Sequence, residues 1–417
     1  MEERELRTRK SPGFNFAIYV VVFLAVLLYS VYSNFRNNGA LYIPTPDGDL
    51  YLSIAENFVR SGHFIQTSRP YEMNFIVPPG LPAILTLIFS VAGEGSLGLI
   101  MVLQYCLFAL SAVLLMASGG ELCKGAKCNV IIPWLFLSCL KTNCVNPGMI
   151  LTETYTVFLL SLALYLFVCD RLSEQTKVVY ILAVFLLTVF IRPAMAGLVL
   201  LPIVHVFRLG FTKKPDKMFY SKIVLLVVLF VSGLFINAGV NKRETGYFVL
   251  LQNYGGVSFY QANNANTKSD HYSSDKAADF SDSYFFEVYQ DSTLDMQQKN
   301  ELLNAKAKQF ILKNPIFCIK KALGRYKAFL KTNAFRLCSA LLSMLVLWRF
   351  KYLNVTKCVC LLGAFLILTA VPSFGLYIER YYIYHIVLTS TLFGSFFQFL
   401  YDSARNLYGR RLIASSK

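Results

Sequence analysis

Blocks of consecutive apolar residues alternate with short polar connections along most of this chain. Such blocks predict membrane-embedded helices. The apolar runs are Phe14 to Tyr32, Ile76 to Ala92, Leu97 to Ala117, Val130 to Leu140, Met149 to Cys169, Val178 to Ile191, Ala194 to Phe207, Ile223 to Val240, Phe335 to Trp348, Cys358 to Phe374 and Tyr382 to Tyr401. The run Ile76 to Ala92 contains Pro78, Pro79, Gly80 and Pro82 and is barely long enough to span, so it is predicted to lie at the outer interface. That leaves ten crossings of an all-α polytopic protein with both termini inside.

The organisation follows from the runs. Residues 1–33 form a cytoplasmic tail and signal anchor, 34–95 an outer loop with interfacial helices, and 96–240 a transmembrane module. Residues 241–333 form a second outer segment, 334–401 the C-terminal transmembrane helices and 402–417 a cytoplasmic tail. From Met296 onward the outer segment reads as helix, with Ile316, Ile319, Leu323, Tyr326 and Leu330 recurring at spacings of three and four beside Lys320, Lys327 and Lys331.

Composition agrees with this pattern and changes the meaning of the charge. Hydrophobic residues make up 55% of the chain and charged residues 15%, a balance no water-facing surface accommodates. A net charge of +16 in such a chain marks cytoplasmic loops, not nucleic-acid binding. Arg171, Lys177, Lys213, Lys217, Arg349 and Lys357 fall on one side if Ile76 to Ala92 does not cross. The stretch Lys306 to Lys331 falls outside and holds eight cations with no acid, which points to anionic headgroups or a lipid-linked phosphate.

Candidate chemistry lies near the outer ends of the runs. Lys141, Glu153, Arg192, Glu379 and Arg380 share that level with Asp47 and Asp49 of the first outer loop. Each such group is costly in a membrane unless it faces a partner or a polar cavity. Tyr51, Ile54, Ala55 and Phe58 share one face of a helix that begins near Asp47 and ends near Gly62, which leaves Asp47 either an N-cap or a catalytic carboxylate. Asp49 adds a second carboxylate, so a divalent cation on Asp47 and Asp49 is the one cofactor the pattern leaves open. Tyr254, Gly255, Gly256 and Asn263 belong to NYGGVSFYQANN, the composition of a loop that covers a polar ligand. Gly93, Gly95 and Gly98 spell a dinucleotide fingerprint but fall between apolar runs with no strand before them, so no nucleotide site is predicted.

The order PDGDLYLSIAENFVRSGHF, VPPGLPAILTLIF, NPGMILTETYTVFLLSLALYLF, FIRPAMAGLVLLP, YGGVSFYQANN, ILKNP and IERYYIYHIV resembles the C-type glycosyltransferases. Within them it is similar to the branch of the protein O-mannosyltransferases and the lipid A aminoarabinose transferase. The resemblance implies a polyprenyl-phosphate sugar as donor, a lipid, glycan or protein as acceptor, surrounding membrane lipids as partners, and transfer on the outer face of a bacterial inner membrane. It implies Asp47 as general base, Glu153 as a second catalytic acid and the Arg380-Tyr381 pair in the substrate site. One departure stands out: Val77 precedes Pro78 where the aminoarabinose transferase has a phosphate-contacting lysine. Phosphate contact is then expected from Arg69, Arg380 or the basic helix. A transporter or flippase of a lipid-linked or anionic solute, and a surface-polysaccharide polymerase, are the rival readings. Charges at one face and unlike halves disfavour the transporter.

Overall fold

The structure is a computed structural model, and it describes residues 16–66, 76–122, 131–137, 145–213, 215–266, 282–349, 353, 355–374, 387–392, 394–398 and 400. These residues form helices, with no strand among them. Helix α1 (Phe16–Asn38) is followed by α2 (Pro46–Ser61), α3 (Gly80–Ala92), α4 (Leu97–Leu122), the short α5 (Ile131–Leu137), α6 (Thr152–Val168) and α7 (Glu174–Ile191). A 3-10 segment, Pro193–Val199, leads into α8 (Leu200–Lys213), then α9 (Lys217–Thr245), α10 (Gly255–Ala262), α11 (Ser283–Gln290), α12 (Met296–Lys313), α13 (Pro315–Arg349) and α14 (Val355–Phe374).

Five helical stretches among the described residues are long and apolar enough to cross a bilayer: Phe16–Asn38, Leu97–Leu122, Glu174–Ile191, Pro193–Thr212 and Lys217–Thr245. The chain is an integral membrane protein. Shorter apolar stretches, among them Thr152–Val168, Cys338–Arg349 and Lys357–Leu368, match other predicted crossings in position but not in length. Helix α3 has 13 residues. At about 1.5 Å per residue it reaches about 20 Å, shorter than a hydrocarbon core of about 30 Å.

Packing orders the helices into a bundle with two distinguishable ends. Asn34, near the end of α1, donates to the hydroxyl of Tyr105, near the start of α4, at 2.7 Å, so these helices run antiparallel. Asn34 also bonds Asn146 Oδ1 at 2.5 Å, while Gly148 N donates to the same oxygen and Ile43 N to the Gly148 carbonyl. This polar knot fixes the loop before α6. Toward the other end, Phe108, Ala112 and Leu115 of α4 pack on Val157, Leu160 and Leu164 of α6 and Phe185 of α7. That end bears Arg171, Lys177 and Lys357, the cations expected on the cytoplasmic side.

Helices α2 and α3 cover the opposite, outer end. Their apolar faces, with Leu50, Ile54, Leu81 and Leu85, share one core with Ile100 and Met101 of α4 and with Ile150, Tyr155 and Ile191. Their starts sit on the bundle at two glycines. A Cβ on Gly48 would lie 2.8 Å from Thr45 Oγ1 and 3.1 Å from the Ile150 carbonyl, and one on Gly80 would lie 2.9 Å from Ile191 N. Both helices therefore begin directly against the ends of α6 and α7. Arg60 and Glu94 join their far ends in an exposed ion pair at 2.6 Å. Gly93 and Gly95 take positive φ in the turn between α3 and α4, a conformation glycine adopts without strain.

The outer segment has its own small core of Val257, Tyr260, Phe285, Val288, Met296 and Leu303. Helix α12 opens with a capping box, Asp295 with Gln298, and is separated from α13 by Asn314 and Pro315, where Pro cannot continue the hydrogen-bond ladder. The predicted basic helix and the following apolar run are one helix, α13, of 35 residues.

Candidate functional site

The site begins with helix ends. Thr45, not Asp47, caps α2: its hydroxyl accepts from Gly48 N at 3.0 Å, and Pro46 opens the first turn. Asp47 therefore stands inside the first turn, half-buried. Glu153 occupies the first turn of α6, and Arg192 directly follows the last turn of α7, where Pro193 stops the α-helix. Because α6 and α7 run antiparallel, these two residues from distant parts of the sequence meet.

They form a buried ion pair, Arg192 Nη1 to Glu153 Oε1 at 2.9 Å, with the side chains 9% and 4% exposed. Arg192 Nη1 also donates to Thr152 Oγ1 at 2.8 Å, and the Thr152 hydroxyl lies 3.3 Å from Glu153 Oε2. Desolvating two charges costs several kcal/mol per ion, and only close pairing with extra hydrogen bonds offsets it. Such an expense near the outer end of a bundle points to a site.

Tyr51 ties the pair to Asp47. Burial pushes its hydroxyl well above the usual phenol range, and the nearby Tyr254, Asp47 and Glu153 push it further while Arg192 opposes them. Tyr51 thus remains protonated, and these five side chains surround one region. Tyr254 packs against both the α2-α3 core and the core of the outer segment. The main chain beside it is clipped to the start of the proline-rich run: Ile76 N donates to Asn253 Oδ1 at 2.8 Å, and Asn253 N donates to the Ile76 carbonyl at 3.2 Å.

Several expected site residues have other placements. Asp49 is exposed and accepts from the Tyr42 hydroxyl at 3.2 Å, which with burial raises that phenol to about 12. Among the described residues no three His, Cys, Asp or Glu side chains gather into a metal site. Gly255 and Gly256 are not a covering loop; they open α10. Gly256 N donates to Asn300 Oδ1 at 2.6 Å, and a Cβ there would run into the Asn300 carbonyl, so this glycine lets α10 lie against α12. Asn263 turns its amide to the Phe259 carbonyl, closing the end of α10. Arg69, Lys141, Glu379, Arg380 and Tyr381 lie outside the described residues.

The basic stretch divides. Lys321 Nζ donates to the Asn264 carbonyl at 2.9 Å and Arg325 to that of Ala262, so both buried cations hold the end of α10 in place. Lys306 lies over the Tyr284 ring at 4.7 Å. Lys308, Lys313, Lys320 and Lys327 are exposed, and so are Ile316, Ile319 and Leu323 of the predicted apolar stripe. Thr152, Asn253 and Asn300 were not among the expected site residues. Thr152 immediately precedes Glu153 and was within reach of the same argument, whereas Asn253 and Asn300 act through tertiary contacts that no spacing rule reveals.

No family model matches the chain, and no curated protein matches it. Among solved structures it is similar to the crystal structure of ArnT, a lipid A aminoarabinose transferase, from Cupriavidus metallidurans bound to undecaprenyl phosphate, with 12% identity and a TM-score of 0.39 over 92% of this chain and 77% of that chain.

Proposed function

We propose that the chain is a membrane glycosyltransferase of the C type that moves a sugar from a polyprenyl-phosphate carrier to a lipid, glycan or protein hydroxyl on the outer face of a bacterial inner membrane. The observation that supports it is the gathering of Asp47, Tyr51 and Tyr254 around the buried Glu153–Arg192 pair, beneath the starts of two short outer helices. The order of sequence motifs supports the same reading.

The chemistry needs a base, a cation and a dry apolar wall. The acceptor oxygen attacks the anomeric carbon, the bond from that carbon to the phosphate oxygen breaks, and Asp47 takes the acceptor proton. Arg192 faces the charge that develops on the departing polyprenyl phosphate, as preorganised cations do in transition states. Glu153 acts through Arg192: engaged at 2.9 Å, it holds the guanidinium in position. Tyr51 and Tyr254 offer hydroxyl and ring surface to the sugar. Single displacement inverts the anomeric centre and needs no carboxylate nucleophile.

Purified protein in a bilayer mimic, incubated with a panel of polyprenyl-phosphate sugars, is expected to release polyprenyl phosphate from one of them. No release from any donor, with or without added acceptors, would reject the assignment in favour of a transporter.

A further inference from the structure

The opposite end of the bundle holds a second, separate cavity of about 300 Å³. Its interior is lined by aliphatic and aromatic side chains of α6, α7 and α14, such as Leu164, Phe185 and Leu361. Its mouth is cationic. Lys177, Arg208 and Lys357 line it together with His205 and Glu174. Glu174 pairs with Lys177 at 3.2 Å and with His205 at 3.3 Å, while Asp170 pairs with Lys357 at 3.0 Å. Three permanent cations thus face two carboxylates, an excess of one positive charge before His205 takes a proton. Arg208, one turn beyond His205 on α8, has no carboxylate partner among the described residues.

An apolar slot with a cationic rim has the shape and charge of an amphiphile with an anionic head. Its mouth opens at the end that carries Arg171, Lys213 and Lys217, where anionic lipids concentrate in a cytoplasmic leaflet. We infer that this cavity binds an anionic phospholipid of the inner leaflet, one acyl chain in the slot and the phosphate on Arg208 and Lys357. The site is distinct from the outer one and does not depend on the proposed transfer activity.

The test is native mass spectrometry of the purified full chain after exchange into mixed micelles of phosphatidylglycerol and phosphatidylcholine. One phosphatidylglycerol is expected to stay bound, preferred by about fivefold, the factor that about 1 kcal/mol for the one excess cation supplies. Arg208→Gln is expected to remove the preference, Arg208→Lys to keep it, and Ala364→Phe, which fills the slot, to remove the bound lipid. Equal retention of both lipids by the parent chain, or an unchanged preference in Arg208→Gln, would overturn the inference. Displacement of the lipid by millimolar inorganic phosphate would do so too, because it would assign the cations to a soluble anion. Should Ala364→Phe fail to fold, the two Arg208 variants decide alone.

Discussion

Both ends of this bundle carry ion pairs, and they are built on opposite principles. At the outer end a single acid and a single base are sealed together, with Glu153 and Arg192 almost wholly withdrawn from solvent. At the inner end Lys177 is nearly as buried, but its partners Asp170 and Glu174 are 52% and 41% exposed and share several cations. Water screens the inner network, so each of its pairs is worth little and can be exchanged. The outer pair is worth much less than its Coulomb energy suggests, and nearly all of its cost appears when one partner is removed. A membrane protein can keep the inner arrangement for orientation alone; the sealed outer pair needs a reason, and the proposed reaction supplies one.

Four measurements would sharpen or break that contrast. The largest effect is expected from Asp47→Asn, which should lower sugar transfer by about 10² to 10⁴, the usual contribution of a positioned base, while insertion and the thermal transition stay unchanged. Transfer at the parent rate would remove Asp47 from the base role. Arg192→Gln leaves Glu153 buried and alone, so the detergent-solubilised protein should lose about 3–5 kcal/mol of stability, and the double change Glu153→Gln, Arg192→Gln should recover much of it. A single variant as stable as the parent would mean that water reaches the pair. Lys357→Gln at the inner end should cost less than about 1 kcal/mol, because its partner Asp170 is half in water. An equal loss at both ends would erase the distinction.

The smallest effect concerns pH. Burial and the neighbouring Arg325 bring the Lys321 ammonium down to about 8 from its usual 10.5. The unfolded chain then binds more protons between those values, so the outer segment should become more stable as pH rises through that window. Hydrogen exchange of α10 and α12 at several pH values measures it. Lys321→Met should flatten the profile, and a fall in protection with rising pH would contradict the placement of the amine.

Much of this arrangement was legible in the sequence because membrane helices announce themselves by length and composition. The break at Arg192-Pro193 and the end of α2 at Gly62 followed from local rules. That Glu153 and Arg192 lie at one level followed from topology. Their contact did not, since it depends on α6 and α7 being neighbours. Sequence rules leave Asp47 between an N-cap and a catalytic carboxylate because Thr45 competes for the cap two residues earlier, and only the backbone geometry separates them. Lys321 and Arg325 read as part of a cationic stretch for anionic headgroups or a lipid-linked phosphate, because nothing in a run of lysines reveals that the carbonyls of Ala262 and Asn264 come to meet two of them. The GlyGly pair read as a loop covering a polar ligand for a related reason: a tight loop backbone and close packing against Asn300 both favour glycine.

The reciprocal hydrogen bonds between Ile76 and Asn253 join residues 177 positions apart. Asp47, Glu153 and Arg192 all leave the ribosome well before Asn253 does. These three side chains are thus in place for the whole time needed to make α8 and α9 before the Ile76–Asn253 clip exists, and closure of so long a loop comes late and slowly. Biogenesis of this protein should therefore pass through a nearly complete bundle with an open top, a state in which membrane insertion precedes competence.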